Sequence, residues 1–368
     1  MQIKSFHIYQ AKIQLKTPFV TSLGPEPFSE HIFIKVTLEN GVIGWGECAP
    51  SNTINGENIA TAMALVPSLA GSLIGKDVGA HQDNFQAMDK VIFGHYSIKS
   101  AFDLACYDAA SRQNNLPLYR YLGGRLKREM LTDYTVSLAT VEAMANQAKD
   151  LYQQGFRKIK VKLGGEPELD VTRIKAIRTA VGNEVELRVD ANQGWSFEGA
   201  VTALNGMSQY DVVYCEEPIN RKLAYRLKAL QSQVPIAIMA DESVVDHHDA
   251  HHLASVQNIK FFNLKIGKSG GITPILKIIE VAEKFDISMQ VGGFIETKIV
   301  FTANCHLALC KPNIRFFDCD SPLFHDSIPT IGGMEYRDDW TIELPAASGL
   351  GIDLNKDFLV KCQHIQIG

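Results

Sequence analysis

The sequence predicts an α/β chain: a modified TIM barrel, (β/α)7β, with an N-terminal α+β capping domain completed by the C-terminal tail. Three observations carry this prediction. Strands are followed by helices up to about residue 123, strand and helix alternate from about residue 131 to 320, and polar residues close successive apolar runs about every 25 positions. The expected units are a capping domain at 1–125, a barrel at 126–320 and a tail at 321–368 that returns to the cap.

In chain order, MQIKSFHIYQAKIQL alternates polar and apolar residues as a strand does. HIFIKVTLENG ends on Asn40-Gly41, a hairpin signal, and VIGWGECAP reads as a third strand. Residues 57 to 123 read as helices. In SIKSAFDLACYDAASRQ, Ala101, Leu104, Ala105 and Tyr107 recur at helical spacing. The barrel strands are LTDYTVSL, RKIKVKL, VELRVD, YDVVYCE, IAIMAD, IKFFNLK, DISMQVG and IRFFDCD, separated by helical stretches such as TVEAMANQAKDLYQQG and GITPILKIIEVAEKF. No Gly-x-Gly-x-x-Gly follows the first of them, which argues against a doubly wound dinucleotide fold. After the eighth strand, Pro322, Pro329, Gly332, Gly333 and Pro345 interrupt the chain where a long helix would otherwise stand.

Composition narrows the function. A length of 368 residues accommodates a barrel of about 250 residues plus a smaller domain. A net charge of -5 without a basic run argues against nucleic acid as a partner. No apolar stretch approaches the roughly 20 residues of a membrane span, and the N-terminus lacks the apolar core of a signal peptide. The expected location is cytoplasmic. The seven cysteines, with no C-x-x-C pair, fit reduced thiols in a reducing compartment.

The residues that close the runs define the candidate site. KIKVKLG closes on Lys160 and Lys162, VELRVDANQGW on Asp190, VVYCEEP on Glu216, IAIMADES on Asp241 and FFNLKIG on Lys265. From Lys162 the gaps are 28, 26, 25 and 24 residues, close to one strand plus one helix per step. Residues at the C-terminal ends of barrel strands share one pocket. Asp190, Glu216 and Asp241 supply hard oxygen ligands suited to Mg²⁺, and no Cys or His ends a neighbouring strand to favour zinc. Lys160 and Lys162 lie two apart and so share a strand face. A neighbouring ammonium or Mg²⁺ is expected to lower a lysine pKa toward the range of a working base. Lys265, across the barrel from Lys162, would face the opposite side of a bound carbon. One lysine would remove a proton and the other return it to the opposite face, through an enediolate, if the substrate carries a carboxylate that binds the metal.

These motifs, together with LKIGKSGGI, resemble the enolase superfamily in its muconate-lactonising subgroup, and the resemblance runs along nearly the whole chain. It implies a Lys acid/base pair beside Mg²⁺, a mechanism already known for that superfamily. Sugar-acid dehydratases are less similar, because they place a His on the seventh strand, where this chain reads DISMQVGG. FFDCDSP carries Asp318 and Asp320 and looks like the Asp-x-Asp with which dipeptide epimerases hold a substrate's α-ammonium group.

The resemblance therefore implies a small-molecule dipeptide as substrate, inverted at the α-carbon of its C-terminal residue. The alternative is an N-succinylamino acid racemase or o-succinylbenzoate synthase, and a further one a non-catalytic metal-binding barrel. TPFVTSLGPEPF and APSNTINGE resemble the family's specificity loops. Phe19, Gly24 and Ile54 there are apolar or small, and Thr17 to Phe28 holds no Lys or Arg. Relatives preferring an acidic second residue have an Arg at the position of Gly24, so small or hydrophobic side chains are expected here. Thr135 and Ile295 match pocket-lining positions of relatives. Asn192, Glu217, Glu242 and Lys268 are expected behind the ligands. A homo-oligomer is compatible with the resemblance.

Overall fold

The computed structural model describes residues 1–368. The chain begins with an antiparallel meander, β1 (Ile3–Thr21), β2 (Gly24–Leu38) and β3 (Ile43–Cys48). Alternation sends Phe6, Ile8, Ile32, Ile34 and Val36 into a core shared with α1 (Ile59–Leu73), α2 (His81–Val91) and α3 (Tyr96–Gln113). Tyr9, Ile13, Phe33 and Trp45 point the other way and join the core of the barrel. The sheet is thus an apolar layer with two buried faces, which is why HIFIKV is nearly all hydrophobic. The turn at Asn40-Gly41 forms as expected, with Gly41 at φ +85°.

After the single turn α4 (Leu118–Tyr121), eight parallel strands follow in sequence order, each hydrogen-bonded to the next. They and their helices are β4 (Tyr134–Val136), α5 (Val141–Gln153), β5 (Lys158–Lys162), α6 (Pro167–Val181), β6 (Glu186–Asp190), α7 (Phe197–Gly206), β7 (Val212–Glu216), α8 (Leu227–Gln231), β8 (Ala237–Ala240), α9 (His247–Ser255), β9 (Phe261–Lys265), α10 (Ile266–Ser269), α11 (Ile272–Lys284), β10 (Ser288–Gly292), α12 (Lys298–Ala308) and β11 (Ile314–Phe317). Four of the barrel helices start where a polar side chain accepts from the first turn. Thr140, Ser196, Asp246 and Thr297 do so for α5, α7, α9 and α12. The Asp246 cap opens the His-rich α9, whose imidazoles lie on the protein surface. The curled sheet comes round on itself where Asp133 N donates to Phe317 O at 3.2 Å and Cys319 N to Thr132 Oγ1 at 3.2 Å.

Beyond α13 (Ser321–Phe324) come β12 (Thr330–Gly332), β13 (Glu335–Tyr336), β14 (Ile342–Glu343), β15 (Ile352–Leu354), α14 (Lys356–Leu359) and β16 (Gln363–Ile367). The last strand pairs antiparallel with β1, from Phe6 opposite Ile367 to Gln10 opposite Gln363, and so completes the first sheet. No helix is long and apolar enough to cross a membrane.

Two sequence expectations need correction. Residues 17 to 28 form the arms of a long hairpin and not a loop, with Phe19 opposite Glu26 and Thr21 opposite Gly24. Its prolines are tolerated because this end of β2 pairs only with β1, leaving its other edge free. Pro18 lies where the register slips between Gln14 and Phe19. The second correction concerns Asp318 and Asp320, which lie past the end of β11. Asp320 has helical backbone angles as the cap of α13, so strand alternation does not govern where the two side chains point.

Candidate active site

Register sets the level of the site. Lys162 stands opposite Asp190, and Asp190 opposite Glu216, at the C-terminal ends of β5, β6 and β7. Asp241 follows β8 directly, and Lys265 ends β9. All three acids are fully buried. The backbone turns sharply just after two of them, with positive φ at Asn192 (+42°), Gln193 (+68°) and Glu217 (+33°). Such strain persists only where surroundings enforce it. Gly164, at φ +102°, allows the loop after β5 to pass against Ala191 O, which would stand 2.4 Å from an added Cβ.

Each acid is gripped from behind on one oxygen. Asn192 N donates to Asp190 Oδ1 at 2.9 Å, Asn263 Nδ2 to Glu216 Oε1 at 2.8 Å and Lys268 Nζ to Asp241 Oδ1 at 2.7 Å. Glu217 accepts from Asp241 N at 2.7 Å and from Ser243, and Glu242 from Asn192 Nδ2 at 3.5 Å. The positions expected behind the ligands are therefore in contact with them or with their neighbours. This is how outer groups orient metal ligands.

The second oxygens face the lysines. Lys162 Nζ donates to Asp190 Oδ2 at 2.7 Å. Lys160 Nζ lies 3.2 Å from Asp190, 2.8 Å from Glu216 and 2.7 Å from Asp318. Lys265 Nζ is ion-paired with Asp241 Oδ2 at 2.6 Å.

The residues present fit a divalent cation. Three buried carboxylates stand at adjacent strand ends, and Asp133, Asp190, Glu216, Asp241, Glu242, Asp318 and Asp320 outnumber Lys160, Lys162, Arg188, Lys265 and Lys268. Burial and Asp190 together push Glu216 up to about 7. Asp190 is held at about 2: burial opposes its ionisation, but Lys162 and Lys160 outweigh it.

The expected lowering of the lysine pKa values is not what this arrangement gives. Burial does lower both Lys160 and Lys265. For Lys160 it is outweighed by Asp318, Glu216 and Asp190, and for Lys265 by Asp241 and Glu216, so both pKa values are raised. Carboxylates stand 2.7–3.2 Å from the Lys160 ammonium and 2.6 Å from that of Lys265, which decides the sign. A cation taking up that negative charge acts in the opposite direction.

Above this floor opens a cavity of about 390 Å³, lined by Lys160, Lys162, Lys265, Asp318 and Asp320, and also by Phe19, Gly24, Ile54, Thr135 and Ile295. The structure thus brings all the expected substrate-side residues to one space. Asp320 Oδ2 accepts from Thr135 N at 2.6 Å. Phe19 stacks on Phe324 with ring centroids 5.2 Å apart, and its ring lies 5.5 Å from Lys162 Nζ. Phe294, 5.6 Å from Lys265 Nζ, is the matching ring on the other side; neither Phe294 nor Phe324 had a sequence signal beyond its hydrophobicity.

Asp133 was also missed. One carboxylate oxygen from each of Asp133, Asp318 and Asp320 lies within 4.8 Å of the other two, whereas Asp190, Glu216 and Asp241 form no such group. Lys160 and Lys265 lie among the latter three, at the distances given above.

The sequence matches the family model of the mandelate racemase and muconate lactonizing enzyme N-terminal domain over residues 3–123, and the enolase C-terminal domain-like model over residues 143–358. It is 42% identical to the D-Ala-D/L-Ala epimerase of Cytophaga hutchinsonii, over 100% of both chains, and 35% identical to the hydrophobic dipeptide epimerase of Enterococcus faecalis, over 96% and 99%. The fold superposes on the dipeptide epimerase of Cytophaga hutchinsonii complexed with Mg and D-Ala-L-Val at a TM-score of 0.98, with all of both chains covered. For the Enterococcus faecalis enzyme complexed with Mg and L-Leu-L-Tyr the TM-score is 0.92 at 35% identity, over 96% of this chain and 99% of that one.

Proposed function

The chain belongs to the enolase superfamily, with the N-terminal and barrel domains of its mandelate racemase and muconate-lactonising group, and from that premise we propose that it is a Mg²⁺-dependent dipeptide epimerase. The observation that carries this reading is that Lys162 and Lys265, from β5 and β9, line the same cavity as Asp318 and Asp320, with Asp190, Glu216 and Asp241 buried beneath. The full-length likeness to dipeptide epimerases supports it.

In this reading the dipeptide is held at both ends. Its ammonium group meets Asp318 and Asp320, and its carboxylate lies over the metal-binding acids. Asp190, Glu216 and Asp241 would hold Mg²⁺, whose positive charge would make the proton on the carbon next to the carboxylate more acidic. Lys162 and Lys265, gripped by Asp190 and Asp241, act from opposite faces of that carbon: one removes its proton and the other returns one, which inverts the centre. Lys160, paired with Glu216 and Asp318, adds positive charge near the developing enediolate. Phe19, Ile54, Phe294, Ile295 and Phe324 leave room for small or hydrophobic side chains. The seven free cysteines accord with a cytoplasmic setting.

The test is incubation of L-Ala-L-Phe and related dipeptide libraries with Mg²⁺ in D2O. Deuterium should enter at the α-carbon of the second residue, with formation of the epimer. Exchange confined to N-succinyl amino acids, with none in any dipeptide, would overturn the reading in favour of a racemase, whose substrate has no ammonium group for Asp318 and Asp320.

A further inference from the structure

Between the end of β3 at Cys48 and the start of α1 at Ile59 the chain forms neither strand nor helix. Its first part, from Ala49 to Ile54, nevertheless supplies one wall of the cavity. The segment is folded on itself, with Asn55 N and Glu57 N donating to Ser51 O at 3.1 and 3.3 Å. Such bonds shape a loop without fixing where it stands against the barrel.

Two side-chain hydrogen bonds cross to the barrel. Asn55 Nδ2 lies 3.4 Å from Gly267 O, and that nitrogen is shared with Ser97 Oγ at 3.3 Å and Glu57 Oε1 at 3.5 Å, so none of the three is short. Arg221 Nη1 donates to Ile54 O at 2.6 Å. A cationic donor at that distance makes the firmer of the two ties.

Arg221 is itself held in place. It opens the 3-10 turn Arg221–Arg226 beyond β7, where the Asn220 side chain accepts from Lys222 N at 3.0 Å. Its own N–H donates to Gln193 Oε1 at 3.1 Å, and Gln193 N donates to Glu217 O at 2.8 Å. The arginine backbone is thereby tied to the exits of β6 and β7, the strands that end in Asp190 and Glu216. The bond to Ile54 O is the only hydrogen bond its guanidinium makes.

We propose that Arg221 is a positioning residue: it clasps the strap from Ala49 to Ile54 to the barrel rim and so sets how closely Ile54 approaches the side chain of the substrate's second residue. The inference rests on the dipeptide reading and deepens it. In that reading the reacting carbon lies between Lys162 on β5 and Lys265 on β9, and the strap meets the rim at the exits of β7 and β9. The first residue, anchored at Asp318 and Asp320 beyond β11, stands across the curled sheet from β7. Releasing the clasp therefore loosens one side-chain pocket and not the other. A wall free to move holds a small side chain less closely and admits a bulky one more readily.

Arg221→Met and Arg221→Lys test this through two ratios of kcat/KM. L-Ala-L-Trp over L-Ala-L-Val varies the second residue, and L-Phe-L-Ala over L-Ala-L-Ala varies the first. In Arg221→Met the first ratio should rise about threefold or more, as expected for loss of one exposed hydrogen bond, through KM more than kcat. The second ratio should stay as in the wild type. Because the contact is to a single oxygen, Arg221→Lys keeps a cationic donor for it and should fall nearer the wild type than Arg221→Met does. An unchanged first ratio in Arg221→Met, an equal shift in Arg221→Lys, or a matching shift in the second ratio would overturn the proposal.

Arg221 is exposed, so its replacement disturbs no packed core. A crystal structure of the wild-type protein with bound L-Ala-L-Val gives an independent check. Ile54 is expected against the valine side chain with Arg221 still on its carbonyl, and an Ile54 that touches only the first residue would sink the idea. A wild type that epimerises no dipeptide refutes the underlying reading; one that does, with both ratios unchanged in Arg221→Met, refutes only the clasp.

Discussion

Asn263 Nδ2 donates to Glu216 Oε1 at 2.8 Å and thereby turns the other oxygen of that carboxylate toward Lys160 and the centre of the site. The contact is neutral on the asparagine side, so removing it changes orientation without changing charge. Asn263→Ala should weaken Mg²⁺ binding about tenfold, the lower end of what such supporting contacts are worth. Calorimetric titration with Mg²⁺ measures this. An unchanged affinity would mean that Gln290, which donates to the other oxygen at 3.1 Å, and the strand itself suffice to hold Glu216.

The two lysines make separable contributions. With Lys265→Ala, the face served by Lys162 retains its base, so one epimer of the dipeptide should still exchange its α-proton for deuterium while epimer formation falls by at least about a thousandfold. Lys162→Ala should show the mirror behaviour, with exchange confined to the other epimer. Mass and NMR analysis of each pure diastereomer in D2O separates these outcomes. Loss of exchange from both epimers in either variant would contradict a two-base mechanism.

Much of this site was legible because parallel barrel strands are buried on both faces. In VVYCEEP, IAIMADES and FFNLKIG an apolar run ends abruptly in charge, and the repeat length of a strand plus a helix places those charges at one end of the barrel. The same logic fails for Asp133 and Gln290, polar residues inside the barrel that are justified only by partners far away in sequence. Asp133 meets Arg188, and Gln290 meets Tyr214 and Glu216. The hairpin from Phe19 to Glu26 was also hidden, because its prolines signal a break unless the free edge of β2 is known. Asp318 and Asp320 were found by their motif, although their backbone is not the strand that the motif suggested.

Glu216 links acidity to both metal binding and stability. Its pKa is raised from 4.5 to about 7 by burial and by Asp190. Between those values the folded chain holds a proton that the unfolded chain has lost, so this group's contribution to stability falls as pH rises from 4.5 to 7. Mg²⁺ needs the ionised form and must displace the proton below pH 7, which weakens its apparent affinity by up to about tenfold per pH unit there. The increase in Tm caused by Mg²⁺ should therefore be larger at pH 8 than at pH 5.5. A pH-independent increase in calorimetric scans would exclude Glu216 as a titrating ligand.

Gly24 sits at the hairpin tip, at the border of the cavity, with φ at +119° and nothing within 4 Å of an added Cβ. Gly24→Arg therefore meets backbone strain rather than a clash, of about 1–3 kcal/mol at the tip. Its guanidinium would face an acidic second side chain, but Glu26 lines the same cavity and competes for it. The ratio of kcat/KM for L-Ala-L-Glu over L-Ala-L-Phe should rise in Gly24→Arg and rise further when Glu26→Gln is added. A ratio insensitive to both changes would show that specificity is set elsewhere.

The capping sheet is locked to the barrel through Glu47. Its carboxylate accepts from His31 Nδ1, Thr297 N and Thr297 Oγ1, each at 2.8 Å, and it is fully buried. His31 Nε2 in turn lies 2.7 Å from Ser29 Oγ, which is 3.0 Å from His325 Nε2, so the chain of contacts runs from β3 through β2 to the segment after α13. Burial holds His325 down at about 3, so it contributes no charge near neutrality. Glu47→Ala leaves three buried donors without an acceptor, and at about 1–3 kcal/mol for each the loss should reach at least about 3 kcal/mol. Thr297→Val removes one hydroxyl contact with Glu47 and the side-chain cap of α12, and should cost about 2 kcal/mol. Urea unfolding of the two variants compares them directly, and because Ser29 lines the cavity, Glu47→Ala should also raise KM. Equal stability losses in the two variants would mean that the cap is held by its apolar face, through Tyr9, Phe33 and Trp45, and not by this buried carboxylate.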